Sequence, residues 1–312
     1  MTVSSPPTRH ASSRPQRGRR RGRDLGKYLF ILPAVLYLLV FTAAPMLQGL
    51  LISFTDAKLI NPNGGNFIGT ENYEFLFGSD AFWHSMWTTV IYTFITVVFA
   101  LVLGTAAALA LNRAFRGRTV VRALMTFPYA MPTVAAALIF IWIFNPTSGA
   151  LNKAIGVLGI GQIGWLTDPE YGLISVLIAT IWKVFPFVML VVLAALQSVP
   201  DELYEASRVD GADGLSTFRA VVIPHITPTL RIVALLMTIW SIRRFEIIFL
   251  LTGGGPSEAT NTLVVNIYRR AFSEQDLGTA AAIGMLGLVL SLLVTVVFFI
   301  ADRRQSRREG TS

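Results

Sequence analysis

The chain has 312 residues, of which 53% are hydrophobic and only 14% charged, with no cysteine and a mean hydropathy of +0.59. A soluble domain carries about 25% charged residues, so this chain has too little charge to cover a water-facing surface of its size. Hydrophobicity excludes disorder, and the absence of cysteine excludes disulfide scaffolds, thiolate metal sites and cysteine nucleophiles.

In chain order, the Ser-, Pro- and Arg-rich segment 1–27 reads as a basic disordered cytoplasmic tail. Six apolar blocks follow, roughly 28–53, 87–111, 120–144, 172–196, 229–251 and 280–301. Each is long enough for the about 20 helical residues that cross a bilayer core. The first is too long for the apolar region of a signal peptide and lacks a small-residue cleavage site, so it counts as a span. Its Pro33 and Pro45 are tolerable in a membrane helix whose neighbours satisfy the freed carbonyls. Pro128 and Pro132 read as kinks in the third span. Residues 28–301 thus form a six-span domain with a long inner loop at 197–228, and 302–312 form a second cytoplasmic tail.

Charge sets the orientation. The net charge is +8, and residues 1–27 alone hold eight basic residues against Asp24. Arg303, Arg304, Arg307 and Arg308 crowd the other end. Basic tails beside apolar blocks are a topology signal and not a nucleic-acid patch, so no nucleic acid is expected as a partner. Together with the connections 112–119 and 197–228 and the adjoining Arg122 and Arg231, the tails carry nineteen of the 26 Lys and Arg. The loops 54–86, 145–171 and 252–279 carry Lys58, Lys153, Arg269 and Arg270. Both termini are therefore cytoplasmic.

Catalytic signals are poor. His10, His84 and His225 fall in the tail, an outer loop and an inner loop and cannot converge on a metal. The G-x-G-x-x-G string at Gly159, Gly161 and Gly164 lies in an outer loop with no strand before it, where a dinucleotide site is not built. No G-x-x-x-x-G-K-[ST] occurs, so ATP hydrolysis is not expected in this chain, nor is a catalytic or metal site.

The inner loop is more informative. Ser198-Val199-Pro200-Asp201 reads as a helix start, with a capping side chain, a first-turn proline and an acid at the positive dipole end. The helix should stop at Gly211 in a left-handed conformation, and a second short helix should start near Ser216. Such a hairpin either offers another protein a docking place or merely anchors spans 4 and 5.

Three inner-span charges remain, Lys183, Arg243 and Arg244, together with Glu246. Ionisable groups within spans carry a functional expectation. On a continuous fifth span Arg243 and Glu246, three residues apart, share a face and can pair, with Trp240 one turn below. An aromatic ring beside paired charges suits a sugar; the alternatives are an internal ion pair, or Arg244 reaching outward to the interface. Lys183, three residues before Pro186, is a weaker candidate of the same kind. Gly253 to Pro256 reads first as a turn, with docking of an outer protein as the sharper alternative.

Glu205-Ala206-Ser207, Gly211, and Val221, Ile223 and Pro224, with Asp210, Ala212 and Phe218 around them, resemble the inner E-A-A…G…I-x-L-P loop of binding-protein-dependent ABC importer permeases. Ser207 stands where alanine is usual and Val221 where isoleucine is usual. Phe67-Ile68-Gly69 with Asn72-Tyr73 resembles the first outer loop of sugar-importer permeases. Pro128, Pro132, Trp142, Asn145, Gly149 and Asn152 fit its third span, and Trp182, Pro186-Phe187 and Leu196-Gln197 its fourth. The run Leu251-Thr252-Gly253-Gly254-Gly255-Pro256, with Thr262-Leu263, Ile267-Tyr268 and Ala271-Phe272, resembles the first permease subunit of carbohydrate importers related to the maltose and glycerol-3-phosphate permeases.

The resemblance implies an all-helical, type I importer permease of the bacterial inner membrane. It would be paired with a second permease subunit above two ATP-binding subunits that carry the ATP and Mg, and served by an external solute-binding protein. Glu205, Ala206, Ser207, Asp210, Gly211 and Ala212 would then contact the ATPase. The solute would be a sugar or oligosaccharide, with a glycerol-phosphate-type polyol as the alternative. Membrane lipid is an expected contact of the chain, while the basic tail either binds anionic lipid or has no such role. The rivals are an ion-coupled transporter, which should show inverted repeats and matched broken helices that are not evident in the sequence, and a membrane-embedded enzyme, for which no catalytic pair converges.

Overall fold

In the computed structural model the described residues are 21–62 and 64–309, with side chains described from Leu29 to Arg303. The tail expected at 1–27 lies outside them up to residue 20, and helix begins at Arg21. Residues 310–312 also lie outside. Among the described residues the structure is helical, with isolated β-bridges in the loops and no sheet. The chain divides at Gly49 into two units.

The first unit is the leading span. Helix α1 (Arg21–Leu38) passes through one π-helical turn at Leu39–Ala43 into α2 (Ala44–Ile52). The turn has a cause in the sequence. Pro45 has no N–H for the carbonyl of Phe41, and the wider register just before it is closed by Ala44 N–H donating to Leu39 O. Large side chains such as Phe30, Leu36, Leu39 and Phe41 are exposed, as a lipid-facing helix requires.

In the second unit, α3 (Glu71–Phe77) leads to the long α4 (Asp80–Asn112), and α5 (Arg118–Ala130) and α6 (Thr133–Ile143) follow. After α7 (Ala150–Gly156) come α8 (Pro169–Leu196) and the inner pair α9 (Asp201–Val209) and α10 (Gly214–Thr217). A second π-helical turn, Phe218–Val222, precedes Pro224 as the first precedes Pro45, and leads into α11 (Ile223–Ile242). Then come α12 (Glu246–Thr252), α13 (Leu263–Tyr268) and α14 (Leu277–Glu309).

The most extensive packing is α4 against α8. The α4 face that is buried reads Ser85, Thr89, Thr93, Thr96, Ala100, Gly104, Ala108 and Leu111, spaced three and four apart. Ser85 and Thr89 of this stripe accept from Asn266 Nδ2 and Leu263 N–H of α13, while toward α8 it offers Ala100, Gly104 and Ala108, small residues that let two membrane helices approach closely. Tyr92 Oη and Thr180 Oγ1 share a buried hydrogen bond at 3.0 Å across this contact. Val184, Val188, Val192 and Leu196 of α8 join Val233 and Met237 of α11 in the core below it.

At the outer end the asparagines of the resembling strings act as clamps. Asn72 Nδ2 donates to Ser53 O and Thr55 O, both at 2.9 Å, while Thr279 Oγ1 donates to its Oδ1. Asn152 Nδ2 donates to Pro146 O and Ile163 O, and its Oδ1 accepts from Trp165 Nε1 at 2.9 Å. Gly253 and Gly254 take positive φ and turn the chain off α12, which is the turn reading of that segment.

Two expectations need correction. The third span is not a kinked helix: α5 and α6 meet at 98° across Met131-Pro132. The fifth is also interrupted, because α11 ends at Ile242 and α12 starts at Glu246. The two short outer helices, α6 and α12, pack against each other.

Gly104 marks the closest approach of α4 to α8, where an added Cβ would lie 2.6 Å from Val188 Cβ and 2.9 Å from Phe185 O. Gly104→Leu should therefore cost about 1–3 kcal/mol through overpacking. Thermal unfolding of the detergent-purified protein measures this; melting unchanged from wild type would mean the helices can separate freely there.

Candidate functional site

Breaking a helix inside a membrane frees carbonyl and N–H groups that hydrocarbon cannot satisfy. At the break in the third span, Met131 O accepts from Lys183 Nζ at 2.6 Å. Lys183 is buried on α8, so its ammonium reaches this carbonyl from across the bundle. The next residue, Pro132, caps α6 and accepts from Ala136 N–H at 3.1 Å.

The two breaks enclose a pair of adjoining clefts. One, of about 480 Å³, is lined by Tyr129, Met131, Thr133, Lys183, Phe187 and Trp240 among others. The other, of about 400 Å³, is lined by Thr133, Arg243, Arg244, Phe245, Glu246 and Ile247. Thr133 and Arg244 line both. These volumes lie within the range of small-molecule sites, about 300–1,000 Å³. The lower cleft has an aromatic wall, with the rings of Tyr129 and Phe187 5.8 Å apart and those of Phe187 and Trp240 5.1 Å apart.

All five pathway candidates, Lys183, Trp240, Arg243, Arg244 and Glu246, thus line this paired cleft. Their arrangement differs from the expectation. Because the helix stops at Ile242, Arg243 and Glu246 do not share a helical face, and among the described residues no ion pair joins them. Glu246 instead opens α12, where the positive end of the helix dipole favours a carboxylate. Arg243 is exposed and Arg244 half-buried, with its Nε enclosed and lacking an acceptor. Tyr129, Thr133, Phe187 and Phe245 were not among the pathway candidates read from the sequence. Phe187 could have been, since it lies one helical turn after Lys183. Tyr129 and Thr133 needed the break at Pro132 to bring them in.

The inner hairpin is the second site. Helix α9 ends in a full glycine stop: Gly211 has φ +75°, Ala212 N–H donates to Ser207 O at 2.9 Å and Gly211 N–H to Arg208 O at 3.1 Å. Its start differs from the expected one. Pro200 is the N-cap and no side chain caps it, while Ser198 Oγ donates to Ala195 O at the end of α8. The following helix begins at Gly214, not near Ser216, capped by Asp213 Oδ1 accepting from Ser216 N–H at 2.8 Å. Those hydrogen bonds from Ser216 hold the Asp213 carboxyl below the usual carboxylate range. Tyr204, Phe218 and Ile223 root the hairpin in the core. Glu205, Ala206, Asp210 and Gly211 are exposed and Ala212 half-buried. Ser207 is the exception: it is buried, donates to Tyr204 O and meets Thr217 Oγ1 at 3.2 Å, tying α9 to α10.

Comparison with known proteins agrees with this architecture. Residues 100–307 match the family described as binding-protein-dependent transport system inner membrane component. The trehalose/maltose transport system permease protein MalF of Thermococcus litoralis is 35% identical, over 88% of this chain and 93% of that one. The sulfoquinovosyl glycerol transport system permease protein SmoG of Agrobacterium fabrum is 34% identical, over 89% and 92%. Among solved structures, a chain of a bacterial ABC transporter involved in the import of the acidic polysaccharide alginate superposes with a TM-score of 0.80 at 25% identity, over 91% of this chain and 96% of that one. Broken spans alone would also suit an ion-coupled carrier; with matches over most of the chain to importer permeases, this multi-pass inner-membrane protein belongs to the binding-protein-dependent transport system inner membrane component family.

Proposed function

We propose that this chain is the transmembrane subunit of an ABC importer for a sugar or oligosaccharide, forming half of the translocation pathway beside a second permease subunit. A solute-binding protein delivers the solute from outside, in keeping with the family's description. ATP is held with Mg and hydrolysed on two separate ATP-binding subunits below. This chain carries out no chemistry of its own. The relatives named for trehalose/maltose and sulfoquinovosyl glycerol support the substrate class, as does a cleft that sets aromatic rings beside charged groups.

The observation that carries the coupling half of the reading is the inner hairpin. It is rooted by Tyr204 and Phe218, yet it exposes Leu203, Leu215 and Val209, the last 87% exposed. Apolar side chains held out on a rigid, well-stopped helix are a docking surface, and the ATPase is the partner the reading assigns to them. Glu205, Ala206, Asp210 and Gly211 lie on the same exposed hairpin. The link from Ser207 to Thr217 makes α9 and α10 move as one body, so closure of the ATPase beneath would turn α8 and α11 with it.

Gly211→Leu tests this. An added Cβ meets nothing within 4 Å, but the residue sits at φ +75°, where a side chain costs about 1–2 kcal/mol. That strain should unwind the stop and reduce solute uptake by about tenfold or more, with the affinity of the binding protein for solute unchanged. Uptake with normal ATPase stimulation in this variant would remove the hairpin from the coupling path. The cap of α10 has its own pH dependence. Because the Asp213 carboxyl is lowered in the folded state, its contribution is fully present above its ordinary value of about 3.9 and is lost as pH falls through the lowered value. The protection factor of the Ser216 amide, with the intrinsic base catalysis of exchange divided out, should hold steady from about pH 5 to 8 and fall only in stronger acid; a protection factor already falling near neutral pH would assign the protection to another group.

A further inference from the structure

We propose that the paired cleft binds an anionic substituent of the sugar, a carboxylate, sulfonate or phosphate, in addition to its ring. The inference rests on the importer reading and deepens it. Three cations, Lys183, Arg243 and Arg244, line the clefts against one carboxylate, Glu246. The carboxylate sits at the start of α12 and forms no ion pair with them among the described residues. The clefts therefore carry a net excess of two positive charges, with Lys183 buried, Arg244 half-buried and Arg243 exposed at the edge.

The cations also differ in what they have left to give. Lys183 spends one donor on Met131 O. Arg244 lines both clefts and keeps its enclosed Nε without an acceptor. Because Arg244 lines both clefts, its planar guanidinium suits the paired oxygens of a carboxylate, sulfonate or phosphate better than a lone hydroxyl. The break at Pro132 adds to this. It starts α6, eleven residues long, at Thr133, which lines both clefts. The N–H groups of that first turn have no carbonyl partner inside the helix, and the dipole places its positive end there. Cations and a helix start converge on the paired cleft, beside the rings of Tyr129, Phe187 and Trp240 that suit the face of a sugar. Among the solved relatives, one belongs to an importer of an acidic polysaccharide.

The test uses the assembled transporter, purified with its partner subunits, and three probes: glucuronate, glucose 6-phosphate and glucose. Saturation-transfer NMR reads which of them touches the permease. Transfer to an anionic probe and little to glucose is the expected result, and the stronger of the two anions distinguishes a carboxylate from a phosphate site. Arg243→Gln with Arg244→Gln should weaken that binding by about tenfold or more. Glu246→Gln should strengthen it, a gain that misfolding cannot mimic. Equal transfer to all three probes, transfer to glucose alone, or no transfer to either anion would overturn the proposal, and so would a Glu246→Gln variant that binds anions no better. Carboxylates of the second permease neutralising the cleft would appear as the glucose-only result. Binding-protein-stimulated ATP hydrolysis by the same preparation reads the importer assignment separately, and it would survive any of these outcomes.

Discussion

The bond from the Lys183 ammonium to the Met131 carbonyl, 2.6 Å long, holds open the part of the bundle where solute is expected to pass. A helix interrupted within the membrane exposes a carbonyl that water cannot reach in hydrocarbon and that the helix can no longer bond. Burying a lysine is expensive for the opposite reason, since its charge leaves water. Each group relieves the other, so the right-angled break between α5 and α6 and the buried cation stand together. From that break follow the position of Thr133, the pairing of α6 with α12, and the enclosure of Arg244.

The interruption of the fifth span follows a similar logic at lower cost. Helix α11 ends where Arg243 and Arg244 enter the cleft, and α12 restarts on Glu246, whose carboxylate suits the positive helix end. A continuous helix would have set these side chains on fixed faces 100° apart per residue. The break lets Arg243, Arg244, Phe245 and Glu246 all line one volume. Beneath it, α4 packs closely on α8 at Gly104, and Tyr204 and Phe218 root the α9–α10 hairpin in the core. Rigid elements joined at a few breaks are suited to passing a rotation from one end to the other.

Much of the fold was legible in the sequence because its signals are local and strong. Runs of apolar residues mark membrane helices, and the asymmetry of Lys and Arg between the loops orients them. The stop at Gly211 was legible for the same reason: only a residue free of a Cβ sits comfortably at φ +75°. The site was partly legible. Charged residues inside apolar blocks stand out, and all five single candidates do line the cleft. Their mutual geometry was not legible, because a count along an unbroken helix puts Arg243 beside Glu246, whereas the chain breaks between them. Ser207 shows the same limit. On the hairpin it reads as one more contact residue, yet its hydroxyl turns inward to Thr217.

The sequence by itself determined the helical class, the apolar blocks that form the five or six candidate spans, and the hairpin that stops at Gly211, since each follows from residues near one another in the chain. Only the tertiary structure decided where the third and fifth spans break and which side chains those breaks bring together. A proline permits a bend but does not set its angle. In the folded chain a distant donor, Lys183 on α8, takes up the Met131 carbonyl at the bend, a contact that sequence spacing does not reveal.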